Sequence, residues 1–311
     1  MPENGERATL ESWLAKARSK CGESLGIADR LFPGLEDRAT ESGDEEFEAS
    51  FFRSGSQLKF PSTAHLKNLG AATRDDKLCD DGRRKQFCGG QCLVSIEEKV
   101  DGANLGISLD SAFRPRMQNR SKMVNWKTDT QFAGLEQWLN DFSATLCELL
   151  ERNNDILFGE WCAYLHTVKY NRLPGYFLAF DIYDKRRGRF LSREALHTRL
   201  QRAAGPKIPV VPMLCPPRVF ANAAEVEEFL QRQSAFGAGV LEGVYLRIDE
   251  PAPAPGQRES CLVDRCKLVR AEFQQAIEDE GSWRGRGKND LDMALVSAYT
   301  EQCYPCARAA A

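Results

Sequence analysis

Residues 91–96 and 105–109 alternate between apolar and polar side chains, and between them run Lys99, Val100, Asp101 and Gly102. Alternation is the period of a half-buried strand. Asp-Gly is a turn pair, because glycine takes positive φ at little steric cost. The pattern predicts a hairpin whose first strand carries Lys99 to the mouth of the turn. A lysine so placed has two readings. It is a solvated side chain on a surface hairpin, or it is a nucleophile, whose amine attacks only when neutral and needs a pKa lowered by desolvation or a nearby cation. The four residues alone leave both open.

The surrounding pattern mixes helices and strands. Leu135, Trp138, Leu139, Phe142, Leu146, Leu149 and Leu150 recur at helical spacing and predict one core-packed helix over 135–152. Residues 155–161 and 175–184 read as buried strands that end in acids. Residues 194–203 and 223–233 read as amphipathic helices. Residues 240–248 read as a strand containing Glu242-Gly243, followed by a stiff Pro-rich loop at 251–256 and a returning strand at 261–269. Hairpin-like pairs without a repeating βαβ rhythm predict an α+β fold of antiparallel sheets flanked by helices. Residues 1–50 read as an N-terminal extension with a short helix at 10–17 and an acidic link at 36–48. A main domain spans 51–273, and 274–311 form a short extension, with helical patterns around 272–277 and 291–299.

At 311 residues and 42% hydrophobic, the chain is long enough to bury a sizeable core. Its net charge of −3 gives no global nucleic-acid signature, so a polyanion site must be a local patch. Residues 113–127 are such a patch, with Arg114, Arg116, Arg120, Lys122 and Lys127. Lys185, Arg186, Arg187 and Arg189 surround Gly188 in an exposed turn. No apolar run nears the ~20 residues of a membrane helix, and residues 1–7 lack a signal-peptide pattern. The 11 cysteines therefore read as reduced thiols inside the cell, with the cytoplasm expected and the nucleus open. Cys88 with Cys92 and Cys303 with Cys306 lie too far apart in sequence to read as one zinc site. His65 and His166 read first as structural residues, with a hydrogen-bonding or RNA-facing role as the alternative.

Polar residues interrupt or end the apolar runs at Lys99, Asp101, Arg120, Glu160, Asp181, Glu242 and Lys267. A polar side chain in a buried strand needs a partner or a ligand. Two lysines, an arginine and several carboxylates suit a nucleoside triphosphate with a divalent metal, because phosphoryl transfer asks for positioning, cations on phosphate oxygens and a metal. In order and spacing these residues resemble the covalent nucleotidyltransferases, the group of ATP-dependent ligases and mRNA capping enzymes. Residues 98–104, Glu-Lys-Val-Asp-Gly-Ala-Asn, are similar to motif I of that group. Phe158-Gly159-Glu160-Trp161 resembles motif III, residues 177–183 resemble motif IIIa, Leu241-Glu242-Gly243-Val244 resembles motif IV, and Lys267-Leu268-Val269 stands where motif V belongs. Asn104, and His166, Tyr170 and Pro174 after Trp161, resemble the RNA ligase 2-like branch.

The resemblance implies a nucleotidyltransferase core (ATP-grasp-like) and an ATP-dependent RNA ligase. Such an enzyme joins RNA 5′-phosphate and 3′-hydroxyl ends with Mg²⁺ or Mn²⁺, as a monomer and off the membrane. It also implies roles. Lys99 attacks the α-phosphate of ATP and carries AMP as a phosphoramidate. Glu98 lies along the adenine, mainly through backbone; Arg120 holds ribose or phosphate; Glu160 holds the ribose; Phe180 stacks on adenine; Lys267 contacts the α-phosphate. Asp101 supports the lysine and the metal, Glu242 binds metal or orients the lysine, and Asn104 acts when the capped 5′ end meets the 3′-hydroxyl. Motif V is incomplete, with Val269 where a second lysine is usual, so either Arg270 substitutes or one phosphate contact is missing. Too little sequence follows residue 269 for a full oligonucleotide-binding domain. A DNA ligase or a GTP-using capping enzyme would share the lysine chemistry. A non-catalytic nucleotide- or RNA-binding relative is disfavoured by the presence of Lys99, Glu160, Glu242 and Lys267.

Overall fold

The computed structural model describes residues 58–70, 72, 76–125, 128–273 and 287–295. The helix expected at 10–17, the acidic stretch 36–48, Lys127, residues 274–277, and Cys303 with Cys306 lie outside them.

The described strands are β1 (Val94–Lys99), β2 (Ala103–Leu109), β3 (Pro115–Gln118), β4 (Asp155–Trp161), β5 (Phe177–Asp184), β6 (Arg189–Phe190), β7 (Met213–Arg218), β8 (Gly243–Asp249) and β9 (Leu262–Val269). They form a four-stranded sheet ordered β7-β1-β8-β9 and a five-stranded sheet ordered β3-β2-β4-β5-β6. Every pairing within the two sheets is antiparallel. Helices α1 (Asp81–Cys88), α2 (Leu135–Asp141), α3 (Ser143–Leu149), α4 (Arg193–Arg202) and α5 (Ala223–Glu227) flank them. The fold is the α+β arrangement that the pattern predicts.

The Lys99 hairpin does not exist as such. β1 and β2 belong to different sheets, and residues 100–102 step from one to the other. All six residues of β1 are buried, and β7 and β8 pair on its two edges. Gly102 does not take positive φ. Its need is space: a Cβ there would stand 2.9 Å from the Trp161 carbonyl oxygen and 2.9 Å from the Cys162 sulfur.

The helix predicted over 135–152 is two helices, broken at Phe142, whose φ of −99° and ψ of 8° leave the helical region. Phe142 stacks on Trp138 at 4.5 Å between ring centroids. Past the break, Thr145 Oγ1 donates to the carbonyls of Ala204 and Pro206, which ties α3 to the loop after α4. Strand β7 carries Pro216 and Pro217 and is an edge strand, where a missing N–H is tolerated.

Alternation divides the core. Leu105, Ile107, Leu109, Leu157, Phe177, Ala179 and Ile182 pack on α2, α3 and α4. Ile96, Val244, Leu246, Cys266 and Leu268 pack on the far side of the other sheet, with Phe87, Val226 and Phe229. Between the sheets lie Phe60, Ile156, Phe158 and Phe190 and a buried ion network. Asp181 on β5 accepts from Arg247 on β8 at 2.6 Å and from Arg265 on β9. Arg193 on α4 bonds Glu97 on β1, and Arg247 also lies 3.4 Å from Asp249. Asp181 is therefore a strut between the sheets rather than part of a ligand site. The Lys185–Arg189 turn is the β5–β6 hairpin, with Gly188 at φ 64° and its Arg186 and Arg189 paired to Glu151 and Glu250.

Candidate active site

Lys99 ends β1, and Glu242 stands just before β8. Lys99 is paired with Gly243, so the two side chains meet: Nζ donates to Glu242 Oε1 at 2.5 Å, with both residues buried. Gly243 admits this closeness, since a Cβ there would lie 2.5 Å from the Leu268 carbonyl oxygen. Alternation brings Tyr245 and Lys267, themselves paired, onto the same face as Lys99. Across the cleft, Asn104 and Glu160 pair between β2 and β4.

The register of β4 on β5 skips between Phe158 opposite Asp181 and Gly159 opposite Ala179, which leaves Phe180 as the extra residue of a β-bulge. Bulges re-aim side chains. Phe180 is half-buried, edge-on to Phe60 at 5.6 Å, at the margin of the cleft.

The charges act on one another as one cluster. Burial works against the Lys99 ammonium, but Glu242, with Tyr245 and Asp101, outweighs it and holds the lysine above its ordinary value. The expected depression of the lysine is thus absent: the carboxylate at 2.5 Å stabilises the ammonium form. Burial raises Glu242 as well, against the pull of Lys99. Burial also raises Glu160 well above the carboxylate range, with Lys99 opposing and Glu242 adding to it. Lys267 is lowered, by burial first and also by the charges of Lys99 and Arg120, against its bond to Asp76 at 3.1 Å. Asp76 also lies 3.5 Å from the buried His65, which burial and Lys267 hold below its usual value.

Several of these groups keep buried oxygens without a hydrogen-bond partner: Asp101 Oδ1, Asn104 Oδ1, Glu160 Oε2 and Glu242 Oε2. An unpaired buried polar atom is costly, so a site that gathers four is shaped for a polar ligand. Lys267 feels the charges of both Lys99 and Arg120, and three cations so gathered suit an anion such as a phosphate. Among the described residues no three His, Cys, Asp or Glu side chains converge as a metal cage. A hard divalent ion needs no such cage, because it is commonly bound by one or two carboxylates plus substrate phosphates. Glu242 and Asp101, each with a free oxygen, fit that mode.

The other predicted residues divide. Asp101 Oδ2 accepts from the backbone of Thr167 and Val168 at 2.6 and 2.8 Å, so it braces the Lys99 turn as well as facing the cleft. Arg120 donates to Ser62 Oγ at 3.0 Å, and its charge reaches Glu160 and Lys267. Glu98 points the opposite way from Lys99, and its carboxylate accepts from Ser234 Oγ at 2.5 Å and Ala235 N at 3.0 Å. Its backbone N–H is taken by Pro212. Arg270 lies past the end of β9, where alternation no longer presents it beside Lys267, and its guanidinium donates to the Leu230 carbonyl and Glu272. Val269 keeps the face of Lys267. Tyr245 and Asp76 were not read from sequence; Tyr245 follows Glu242-Gly243 at the strand period, which was the available signal. Cys88 and Cys92 are free thiols, not joined to each other.

The RNA ligase family model matches residues 93–269. No curated protein matches the chain. Among solved structures, an archaeal ATP-dependent RNA ligase is similar at 20% identity with a TM-score of 0.44, over 68% of this chain and 48% of its own. A Naegleria gruberi RNA ligase is 17% identical at 0.41, over 79% and 70% respectively. A putative ATP-dependent DNA ligase from Aquifex aeolicus is 19% identical at 0.39, over 68% and 49%. This chain thus spans about half the length of the archaeal and Aquifex proteins.

Proposed function

The chain belongs to the RNA ligase family of covalent nucleotidyltransferases, and on that premise we propose that it seals RNA 5′-phosphate ends to 3′-hydroxyls, using ATP and a divalent cation through a nucleotide carried on Lys99. The observation that carries the proposal is the buried Lys99–Glu242 pair, set among carboxylate and amide oxygens that have no partner.

Lys99 Nζ forms a bond to the α-phosphorus while the bond to the departing pyrophosphate breaks. Before that the ammonium must shed a proton, and Glu242 Oε1 is the acceptor already hydrogen-bonded to it. Lys267 and Arg120 meet the charge on the phosphate oxygens. Glu160 takes the ribose hydroxyls through its free Oε2, and Phe180 offers a ring to the base. Asn104, opposite Glu160, stands where the capped end meets the attacking hydroxyl. A bound divalent cation, held by Glu242 and Asp101 with phosphate oxygens, would supply positive charge to the phosphates and lessen the negative charge that keeps Lys99 protonated.

Glu242→Gln separates these roles. Without the Glu242 charge, burial, which lowers Lys99, is opposed only by the lesser pull of Tyr245 and Asp101. The midpoint for labelling Lys99 with an amine-reactive probe should fall by at least about one pH unit, while nucleotide transfer slows by about tenfold or more as the oriented acceptor is lost. An unchanged labelling midpoint would mean that Glu242 does not set the lysine's proton.

The substrate side of the proposal is supported by a ribbon beside the cleft. Residues 58–62 run along 118–120 through bonds from Gln118 Nε2 to Leu58 O, Phe60 N to Arg120 O and Arg120 to Ser62. Asn119 closes the adjoining turn by accepting from the backbone of Ser121 and Lys122. The ribbon exposes Lys59, Arg120 and Lys122 and contains no acid. Lys122→Ala should weaken RNA binding equally across sequences and flatten the log–log salt dependence by about 0.7–0.9, one phosphate contact; an unchanged slope places the RNA elsewhere. The experiment that tests the function is sealing of a 5′-phosphorylated RNA end to a 3′-hydroxyl, with matched DNA ends alongside. Joining of RNA supports the proposal, and joining of DNA alone rejects it.

A further inference from the structure

The segment 287–292 lies outside the family-matched region, yet it is bound tightly to the body. Asn289 is 1% exposed. Its Nδ2 donates to the carbonyls of Cys162 at 2.9 Å and Tyr164 at 3.2 Å, its Oδ1 accepts from Tyr170 N at 2.9 Å, and its own N–H donates to Ala163 at 3.0 Å. On either side, Leu165 N donates to Gly287 O, Asp290 N to Tyr170 O, Leu173 N to Asp290 O and Asp292 N to Leu173 O. One amide side chain thus closes the segment from Cys162 to Tyr170 into a fixed loop.

That loop holds the Lys99 turn. Thr167 and Val168 donate their backbone N–H groups to Asp101 Oδ2, and the Tyr170 hydroxyl accepts from Asp101 N at 2.8 Å. Asp101 lies two residues past Lys99, and its other oxygen is one of the unpartnered atoms of the cleft.

We propose that residues 287–292 are a strap and Asn289 a positioning residue: by fixing the loop of Thr167, Val168 and Tyr170, it sets where Asp101 stands in the cleft. This rests on the nucleotide-transfer reading of Lys99. The mechanical part does not, and the two are separable. A misplacement of about 1 Å at a reacting group costs up to about a hundredfold in rate, which is the scale available to a strap that never touches the substrate.

The test uses the full chain and Asn289→Ala, with Tyr170→Phe as a second variant that removes only the hydroxyl. Hydrogen exchange reads the Thr167 and Val168 amides, and transfer of label from α-labelled ATP is followed against ATP concentration. The expected results are exchange at both amides at least about tenfold faster in Asn289→Ala, and, in both variants, transfer slowed by about tenfold or more with the KM for ATP nearly unchanged. Unchanged exchange at Thr167 and Val168 in Asn289→Ala overturns the strap. Faster exchange with undiminished transfer in both variants makes it a stability element only and rejects the positioning role. If the wild type takes up no label, the function reading fails, while the exchange result still decides whether the strap holds the Asp101 loop.

Discussion

Lys99→Ala is expected to abolish nucleotide transfer to the protein while leaving it folded. The expected loss is on the order of 10⁴-fold or more, the scale of removing a nucleophile outright. No neighbour can stand in: the Lys267 ammonium is bound to Asp76, and an arginine does not give up its proton. Folding survives because of what happens to Glu242. A buried carboxylate stripped of its cation is costly if ionised, but burial already pushes Glu242 upward and Lys99 is the main charge opposing that. Without Lys99 the acid takes a proton and stays neutral. Sealing of RNA that already carries a 5′ adenylate should persist in Lys99→Ala, since that step needs no new bond to the lysine. The check is uptake of label from α-labelled ATP, with circular dichroism to show the fold. Persistent uptake would move the nucleophile elsewhere.

The largest loss of stability is expected at Asp181, not at the lysine. Asp181 is buried between Arg247 and Arg265, and no proton can rescue two guanidinium groups left facing each other. Asp181→Ala should cost about 3–5 kcal/mol in urea unfolding, the range for breaking a buried pair from one side. Lys67 and Glu227 form an ion pair at 3.0 Å too, but on the surface, and Lys67→Ala should cost under about 1 kcal/mol. Equal costs for the two substitutions would contradict the account of the network as the strut between the sheets.

What the sequence showed and what it hid follow from the range of the interactions. Strands β4, β5, β8 and β9 were legible because alternation and length are local, and Lys99, Glu160, Glu242 and Lys267 stood out as polar breaks in apolar runs. The sheet change at Val100–Gly102 was not legible, because two strands joined by a short turn look like a hairpin until their partners, β8 and β4, are known. The break at Phe142 was hidden since Trp138 and Phe142 keep helical spacing across it. Asp181 read only as a polar break that needs a partner or a ligand, because its partners Arg247 and Arg265 are far along the chain. Asn289 gave no signal at all: one asparagine in a polar segment has no period. The sign of the Lys99 shift depends on a carboxylate 143 positions away, which only the register of β1 on β8 brings near.

The central claim is that Lys99 carries the nucleotide. The measurement is intact mass and peptide mapping of the folded protein, first cleared of any adduct it already holds, after incubation with Mg²⁺ and ATP or GTP. The account predicts one added AMP, mapped to Lys99, from ATP alone. A GMP adduct on Lys99 would keep the chemistry and replace the proposed reaction with capping. No adduct from either nucleotide, or an adduct mapped to Lys267, would contradict the account.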